Sequence, residues 1–389
     1  MKFRKSHIEK QTWPHILMIA NTGWYLRNFR AKLVERLEAE GYKVILAAPP
    51  DGETNNAFFQ KRTFVPLRLS RKGRNPLAEL LALSRVISLF RRVRPDLVLT
   101  WTPKPNIYGG IAGRLLHVPV IPNVAGLGVV FIRGGAFSRL VGWFYRFAFA
   151  HSPVVYFQNE EDRAAFINFC WVEKAKTKRL PGSGVDLGRF HPQPIPPIEP
   201  FVFLYIGRLL ADKGVRELVE AARQLRAAGR YFVVRFAGTV DAGNPTTISR
   251  QELDSWVADG IIEYLGPLDD VRPALVLAHC VVLPSYYREG VPRSLLEAAA
   301  MGRPLITTNA PGCLDAVLPG KSGFLCEPRS SDSLADCMAR MLDLDPQELT
   351  AMGRTGREYM ERCFSEEIVL DAYLNQCRLL IQNKREDSK

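Results

Sequence analysis

The sequence predicts an α/β protein made of two doubly wound, Rossmann-like domains that face each other across a cleft. Three observations carry that expectation. Short apolar runs alternate with amphipathic stretches through the first half of the chain, a proline-rich segment at 181–200 interrupts them, and the alternation restarts at residue 201. Strands alternating with helices imply parallel sheets covered on both faces. With 389 residues, 47% of them hydrophobic, the chain can bury two cores.

Taken in order, "HILMIA" (15–20) reads as a strand, and "LRNFRAKLVERLEAEGY" as a helix with Gly41 near its C-terminal end. "KVILAA" follows as a strand, then "PLAELLALSRVISLFRRVRP" as a helix ended by Pro95, and "DLVLTW" (96–101) as a strand. "NIYGGIAGRLLHV" gives a further helix and "PVIPNV" a strand. Six prolines in "PGSGVDLGRFHPQPIPPIEP" mark a linker. Beyond it come the strand "FVFLYIG" (201–207), the helix "GVRELVEAARQLRAAG", and the strands "YFVVRFAG", "IIEYLG", "HCVVLPS" and "PLITTN".

Composition narrows the function classes. Seven cysteines, odd in number and without a C-x-x-C pair, fit a reduced chain better than a disulfide framework. No His/Cys cluster has metal-ligand spacing, so neither a metal nor a cofactor is expected. The net charge of +12 favours anionic partners. Absence of zinc-finger spacing and of long Lys/Arg blocks argues against nucleic acid. No G-x-G-x-x-G follows a strand, which disfavours a dehydrogenase. "LPGKSGFL" contains Gly-Lys-Ser, but Asp315 stands where a phosphate-binding loop needs its first glycine, so this is read as a turn. Asp343-x-Asp345 is read as a helix cap rather than a metal site.

The segment "EGVPRSLLEAAAMGRP" (289–304) places Glu289 in a loop and Glu297 two turns into the following helix. Pro292 suits the first helical position, and the N–H groups of Arg293 and Ser294 then point out of the helix end. Such an end, at the carboxyl edge of a parallel sheet, is a ready anion site. Two carboxylates beside it suit a sugar nucleotide, with its diphosphate on the helix end and its hydroxyls on the glutamates. The plainer alternative is a dipole-balancing Glu297 and a solvated Glu289. A glycosidase would need the two carboxylates opposed across a bond. In "YIGRLLADKGVREL" (205–218), Gly207 and Arg208 follow a strand directly and Lys213 comes five residues later. Two cations there can clamp a diphosphate and neutralise a departing nucleotide, unless they are ordinary surface cations.

These motifs carry a family resemblance. "GRLLADKG", "GVPRSLLEAAAMGRPLITTNAPGC" and the E-x7-E pair resemble glycosyltransferase family 4, retaining enzymes of the GT-B fold. So do "NTGWYLRNFRAKLVERLEAEGYKV", "PKPNIYGGIAGRLLHVPVIPNVAGLG", "FQNEEDRAAF" and "LPGSGVDLGRF" in the first half. The similarity is to the branch that extends lipid-linked oligosaccharides for bacterial O-antigen, capsule and protein glycans. It implies an acceptor-side domain over 14–182, a nucleotide-sugar domain over 183–364, and a helix at 365–382 crossing back to the first domain. The tail 383–389 is expected to be disordered. The resemblance also implies that Arg208 and Lys213 hold the donor diphosphate, that Glu289 lies by the donor sugar, and that Glu297 holds the ribose. Gly23 would let backbone approach the phosphates. Many members carry a histidine where this chain has Ala125 before Gly126, so no histidine role carries over. Pro292 removes an N–H that some members offer the donor.

The function implied is transfer of a hexose or N-acetylhexosamine, with retained configuration, from a UDP-sugar to a polyprenyl-diphosphate-linked saccharide. The alternatives are a UDP-sugar 2-epimerase of the same fold and a catalytically inactive nucleotide- or lipid-binding partner. A lipid-linked acceptor implies peripheral attachment to the inner face of the cytoplasmic membrane. The basic segments "FRKSHIEK", "RLSRKGRN" and "FRRVRP" would supply attraction to anionic lipid. "FIRGGAFSRLVGWFYRFAF" (131–149) interleaves aromatics with Arg133, Arg139 and Arg146, as an interfacial helix would, although a core helix is the simpler reading.

Overall fold

The computed structural model describes residues 13–69, 75–126, 136–197, 199–241 and 243–386. The first sheet comprises β1 (His15–Ile19), β2 (Lys43–Ala48), β3 (Thr63–Pro66), β4 (Leu97–Trp101), β5 (Val120–Val124), β6 (Val155–Phe157) and β7 (Thr177–Arg179). Its order is β3-β2-β1-β4-β5-β6-β7, and every pairing is parallel. Helices α1 (Gly23–Ala39), α2 (Pro76–Val93), α3 (Pro103–Leu116), α4 (Ala136–Phe149) and α5 (Glu160–Asn168) connect the strands.

The two-residue strand period sorts side chains to opposite faces. Ile16 and Met18 of β1 pack with α1, whereas Leu17 and Ile19 pack with α2. The second sheet holds β8 (Val202–Ile206), β9 (Val233–Ala237), β10 (Glu263–Gly266), β11 (Cys280–Leu283), β12 (Leu305–Thr308) and β13 (Gly323–Cys326). It is again parallel, in the order β10-β9-β8-β11-β12-β13. Its helices are α6 (Val215–Ala227), α7 (Arg250–Ala258), α8 (Arg272–Val276), α9 (Arg293–Ala300), α10 (Ser331–Leu342) and α11 (Pro346–Cys363).

The last helix, α12 (Glu366–Glu386), leaves the second sheet and joins the core of the first. Val369, Leu370, Tyr373, Leu374 and Cys377 pack there against β1, β4 and α1. The two crossings run side by side: Val185 N–H donates to Phe364 C=O at 2.8 Å, and Glu366 N–H to Val185 C=O at 3.0 Å.

Several sequence expectations need correction. Residues 383–386 are not disordered; they complete the last turn of α12, where Lys384 Nζ lies 2.8 Å from Asp96. Residues 387–389 lie outside the described residues. Helix α1 starts at Gly23, three residues early, because Thr22 Oγ1 caps the Tyr25 N–H at 3.0 Å. Helix α2 ends through Arg94 in the left-handed region (φ 48°), ahead of Pro95. Two other readings hold: the Gly-Lys-Ser segment is a turn at Gly320–Ser322 that leads straight into β13, and Asp345 is a helix cap. Asp345 caps α11, with its carboxylate on the Gln347 and Glu348 N–H groups at 2.8 Å each.

Candidate active site

In each sheet strand order reverses once, between β1 and β4 and between β8 and β11. Crevices at such switch points, outside the carboxyl ends of the strands, are where open α/β sheets take ligands. The chain leaves β8 through Gly207 and Arg208 and turns at Ala211–Lys213 into α6. It leaves β11 through residues 284–292 into α9. Gly214 lets the two turns touch: its φ is +74°, and a Cβ there would lie 2.1 Å from Pro284 C=O.

Lys213 and Glu289 meet across this gap. Lys213 Nζ lies 2.9 Å from each carboxylate oxygen, and both side chains are mostly buried. Ser285 Oγ donates to Glu289 Oε1 at 2.8 Å. Asp212 C=O accepts the Tyr286 and Tyr287 N–H groups, at 3.0 Å each, which stitches the two turns together. Glu289 is therefore not a solvated loop carboxylate. Arg208 stands apart on the same sheet edge, nearly half exposed, and its Nη1 is 3.3 Å from Asp241 in the turn after β9. Beneath it, Tyr205 OH donates to Arg208 C=O at 2.7 Å. Burial, with Glu289 adding to it, pushes the Tyr205 hydroxyl well above its ordinary pKa, so it remains protonated.

The second carboxylate, Glu297, sits on α9. Pro292 is the cap of that helix rather than its first residue, because its ψ of 122° is extended. Its carbonyl accepts the N–H groups of Leu295 (3.1 Å) and Leu296 (3.3 Å), so those of Arg293 and Ser294 lie at the helix opening. Glu297 Oε1 accepts from Arg293 Nε at 2.7 Å, and the carboxylate is 13% exposed. Burial raises its pKa, and Arg293 opposes that rise.

The other domain reaches the same loop. Asn159 Nδ2 donates to Glu289 C=O at 3.1 Å, and Gly290 N–H to Ala125 C=O at 3.2 Å. Arg288 Nη2 lies 3.0 Å from the buried Asp162 carboxylate. Gly126, at φ +108°, presses so closely that a Cβ would come within 2.8 Å of Arg288 C=O. Ala125 and Gly126 follow β5 and Gln158 and Asn159 follow β6, so the carboxyl edges of the two sheets face each other.

The structure thus gathers Gly207, Arg208, Lys213, Glu289, Arg293, Ser294 and Glu297 along one sheet edge. Gly23 stands on the opposite edge, and its lack of a side chain has a local cause. A Cβ there would lie 2.7 Å from Asp51 and 2.8 Å from Thr54, while Asp51 Oδ2 accepts the Trp24 N–H at 3.0 Å. A carboxylate therefore already occupies the start of α1. Sequence reasoning did not single out Asp51, Asn159, Asp162, Asp241 or Arg288. "FQNEEDRAAF" held a signal for two of them, as an Asn helix cap followed by acidic residues. Among the described residues no group of three or more His, Cys, Asp or Glu side chains is arranged to hold a metal ion.

Two parallel-sheet domains with carboxyl edges opposed have the architecture of a GT-B-type glycosyltransferase. Residues 15–159 match the family model "Glycosyl transferase 4-like" and residues 200–344 the model "Glycosyl transferases group 1". The chain belongs to this glycosyltransferase family. It is 24% identical, over 94% of its length and 98% of the relative's, to the N,N'-diacetylbacillosaminyl-diphospho-undecaprenol alpha-1,3-N-acetylgalactosaminyltransferase of Campylobacter jejuni. Identity is 27% to the Escherichia coli UDP-Gal:alpha-D-GlcNAc-diphosphoundecaprenol alpha-1,3-galactosyltransferase, over 69% of this chain and 71% of that one. Among solved structures, Anabaena Alr3699/HepE in complex with UDP superposes with a TM-score of 0.72 at 18% identity, covering 93% of this chain and 99% of that one. A glycosyltransferase from Rickettsia africae gives 0.76 at 16% identity, covering 95% and 99%.

Proposed function

We propose that this glycosyltransferase moves a hexose or N-acetylhexosamine from a UDP-sugar to a hydroxyl of a polyprenyl-diphosphate-linked saccharide, with retained configuration. The Lys213–Glu289 pair at the switch point is the observation that carries this reading. A donor diphosphate on the Arg293 and Ser294 N–H groups would draw Lys213 and Arg208 onto its oxygens and leave Glu289 facing the sugar. The glycosidic C–O bond then breaks with its electron pair on the β-phosphate oxygen, where the two cations stabilise the growing charge. The acceptor hydroxyl attacks from the same face, and its proton passes to the departing phosphate. Ala125 offers no basic group at the position where a histidine would stand. Glu297 takes the ribose hydroxyls. The UDP complex of the Anabaena neighbour and the undecaprenyl-linked substrates in the relatives' names support the donor and acceptor classes.

The acceptor's lipid brings the enzyme to the bilayer. Helices α2, α3 and α4 cover one flank of the first sheet and expose Leu77, Leu80, Leu81, Leu115, Leu140, Trp143 and Phe144. The inner side of α4 is core, with Tyr145, Ala148 and Phe149 buried, so this helix serves packing and surface alike. The same three helices carry the exposed Arg85, Arg91, Arg92, Arg114 and Arg146. "FRKSHIEK", Arg133 and most of "RLSRKGRN" lie outside the described residues. Among the described residues no helix is long and apolar enough to cross a membrane.

The test is UDP release over a panel of UDP-hexoses and UDP-N-acetylhexosamines, with and without an undecaprenyl-diphosphate-linked saccharide. The expected result is acceptor-dependent release with one donor, and a product whose anomeric proton shows the donor's configuration. Sugar released or epimerised without acceptor would replace this reading with the epimerase. No turnover across the panel would favour an inactive binding partner.

A further inference from the structure

The side chain of Arg293 does more than its place at the helix opening requires. Its guanidinium touches two domains at once. Nε holds Glu297 Oε1 at 2.7 Å, Nη1 donates to Asn28 C=O on α1 of the other domain, and the cation lies 5.3 Å above the Phe29 ring. Trp24 and Tyr25 pack on that ring at 5.3 and 5.0 Å, which fixes its position. The Arg293 side chain is 19% exposed. Glu297 in turn is almost enclosed, and burial alone would favour its neutral acid. The neighbouring Arg293 cation opposes that rise in pKa, and its hydrogen bond aims the carboxylate. Only Oε1 is engaged by Arg293, which leaves Oε2 for a hydroxyl. Arginine can make these contacts together because its donors are held in one rigid plane, whereas a lysine has a single nitrogen.

We propose that Arg293 is a positioning residue that aims the Glu297 carboxylate at the donor's ribose and makes that aim depend on the opposite domain, through Asn28 and Phe29. This rests on the reading of Glu297 as the ribose ligand given above. Ribose recognition is then strongest when the two domains are closed on each other and weakens as α1 moves away from α9. Donor capture and domain closure become one event without any further residue.

The measurement is the ratio of dissociation constants for 2′,3′-dideoxy-UDP and UDP by titration calorimetry, in the full chain. A merely structural role would shift melting temperature without changing this ratio. Wild-type protein should prefer UDP about tenfold or more, the range for hydroxyls bonded to a charged group. In Glu297→Gln the preference should fall to about threefold or less. Arg293→Met, Arg293→Lys and Phe29→Ala should each lose at least half of it on a logarithmic scale, the lysine variant serving if the methionine variant folds poorly. A preference lost in Glu297→Gln but intact in Arg293→Lys or Phe29→Ala overturns this proposal alone. A preference that survives Glu297→Gln, or wild-type protein that does not bind UDP, overturns the ribose reading and this proposal with it.

Discussion

Residues 288, 289 and 290 each bind the opposite domain, which would let the proposed Glu289 carboxylate serve a reaction between the two. Arg288 pairs with Asp162, Glu289 receives Asn159 on its carbonyl, and Gly290 donates to Ala125. The Glu289 side chain points back to Lys213 and Ser285 in its own domain. Asp162 is 1% exposed, so removing the Arg288 cation weakens the compensation of a buried charge. Breaking one side of such a pair costs about 3–5 kcal/mol when fully buried, and less here because Asn159 also donates to Asp162, at 3.1 Å. Arg288→Met should therefore lower kcat through a loosened Glu289 while leaving the dissociation constant for UDP within about threefold. Transient kinetics with calorimetry checks it, and an unchanged kcat would show that the loop needs no such anchor. The cations and glutamates themselves were legible as residues of strand-to-helix turns, where function concentrates. Their partners were not, because the contacts span 126 residues from Arg288 to Asp162 and 265 from Arg293 to Asn28. Local spacing holds no record of such pairings. Asp51 was hidden for the same reason: the glycine it crowds lies in another turn.

Among the elements, long periodic helices and buried strands were the readable ones. β1, β2 and β4 are nearly continuous apolar runs, as strands covered on both faces must be. The strands left unassigned were β3, β6, β7 and β13. β6 and β7 have three residues each, and β7 is "TKR", with only Thr177 buried. Too few residues remain there for a period to show. Helix α12 shows why a terminal element can belong to the far domain. Tyr373 OH accepts from Trp101 Nε1 at 3.0 Å and from Asn123 Nδ2 at 2.9 Å, all three side chains being buried. Tyr373→Phe leaves both donors unpaired, at a cost of about 1–3 kcal/mol. The expected outcome is a melting temperature lower by several degrees, with α12 amides exchanging faster than in wild type. An unchanged melting temperature would mean that water or another acceptor takes over both donors.

At the scale of the whole molecule, two sheets with opposed carboxyl edges bring the arginine- and aromatic-bearing flank and the proposed donor edge into one chain. Several arginines beside exposed Leu, Trp and Phe side chains suit an anionic bilayer, each cation near the surface contributing roughly 1 kcal/mol. Flotation with phosphatidylglycerol vesicles should carry the protein upward at low salt and release it at high salt. Trp143→Ala with Leu80→Ser should weaken that binding while UDP release with a water-soluble acceptor persists. Equal binding to neutral and anionic vesicles would contradict the electrostatic part of this account.

The central claim is that the Lys213–Glu289 pair at the β8–β11 switch point is where the donor diphosphate is discharged. It is tested most directly by single-turnover UDP release from saturating donor and lipid-linked acceptor, comparing wild type with Lys213→Ala. Loss of a cation that acts on the charge developing in the transition state lowers the rate by about 10²–10³. The account predicts a fall of that size, with the melting temperature within a few degrees of wild type. Near-wild-type turnover by Lys213→Ala would contradict it.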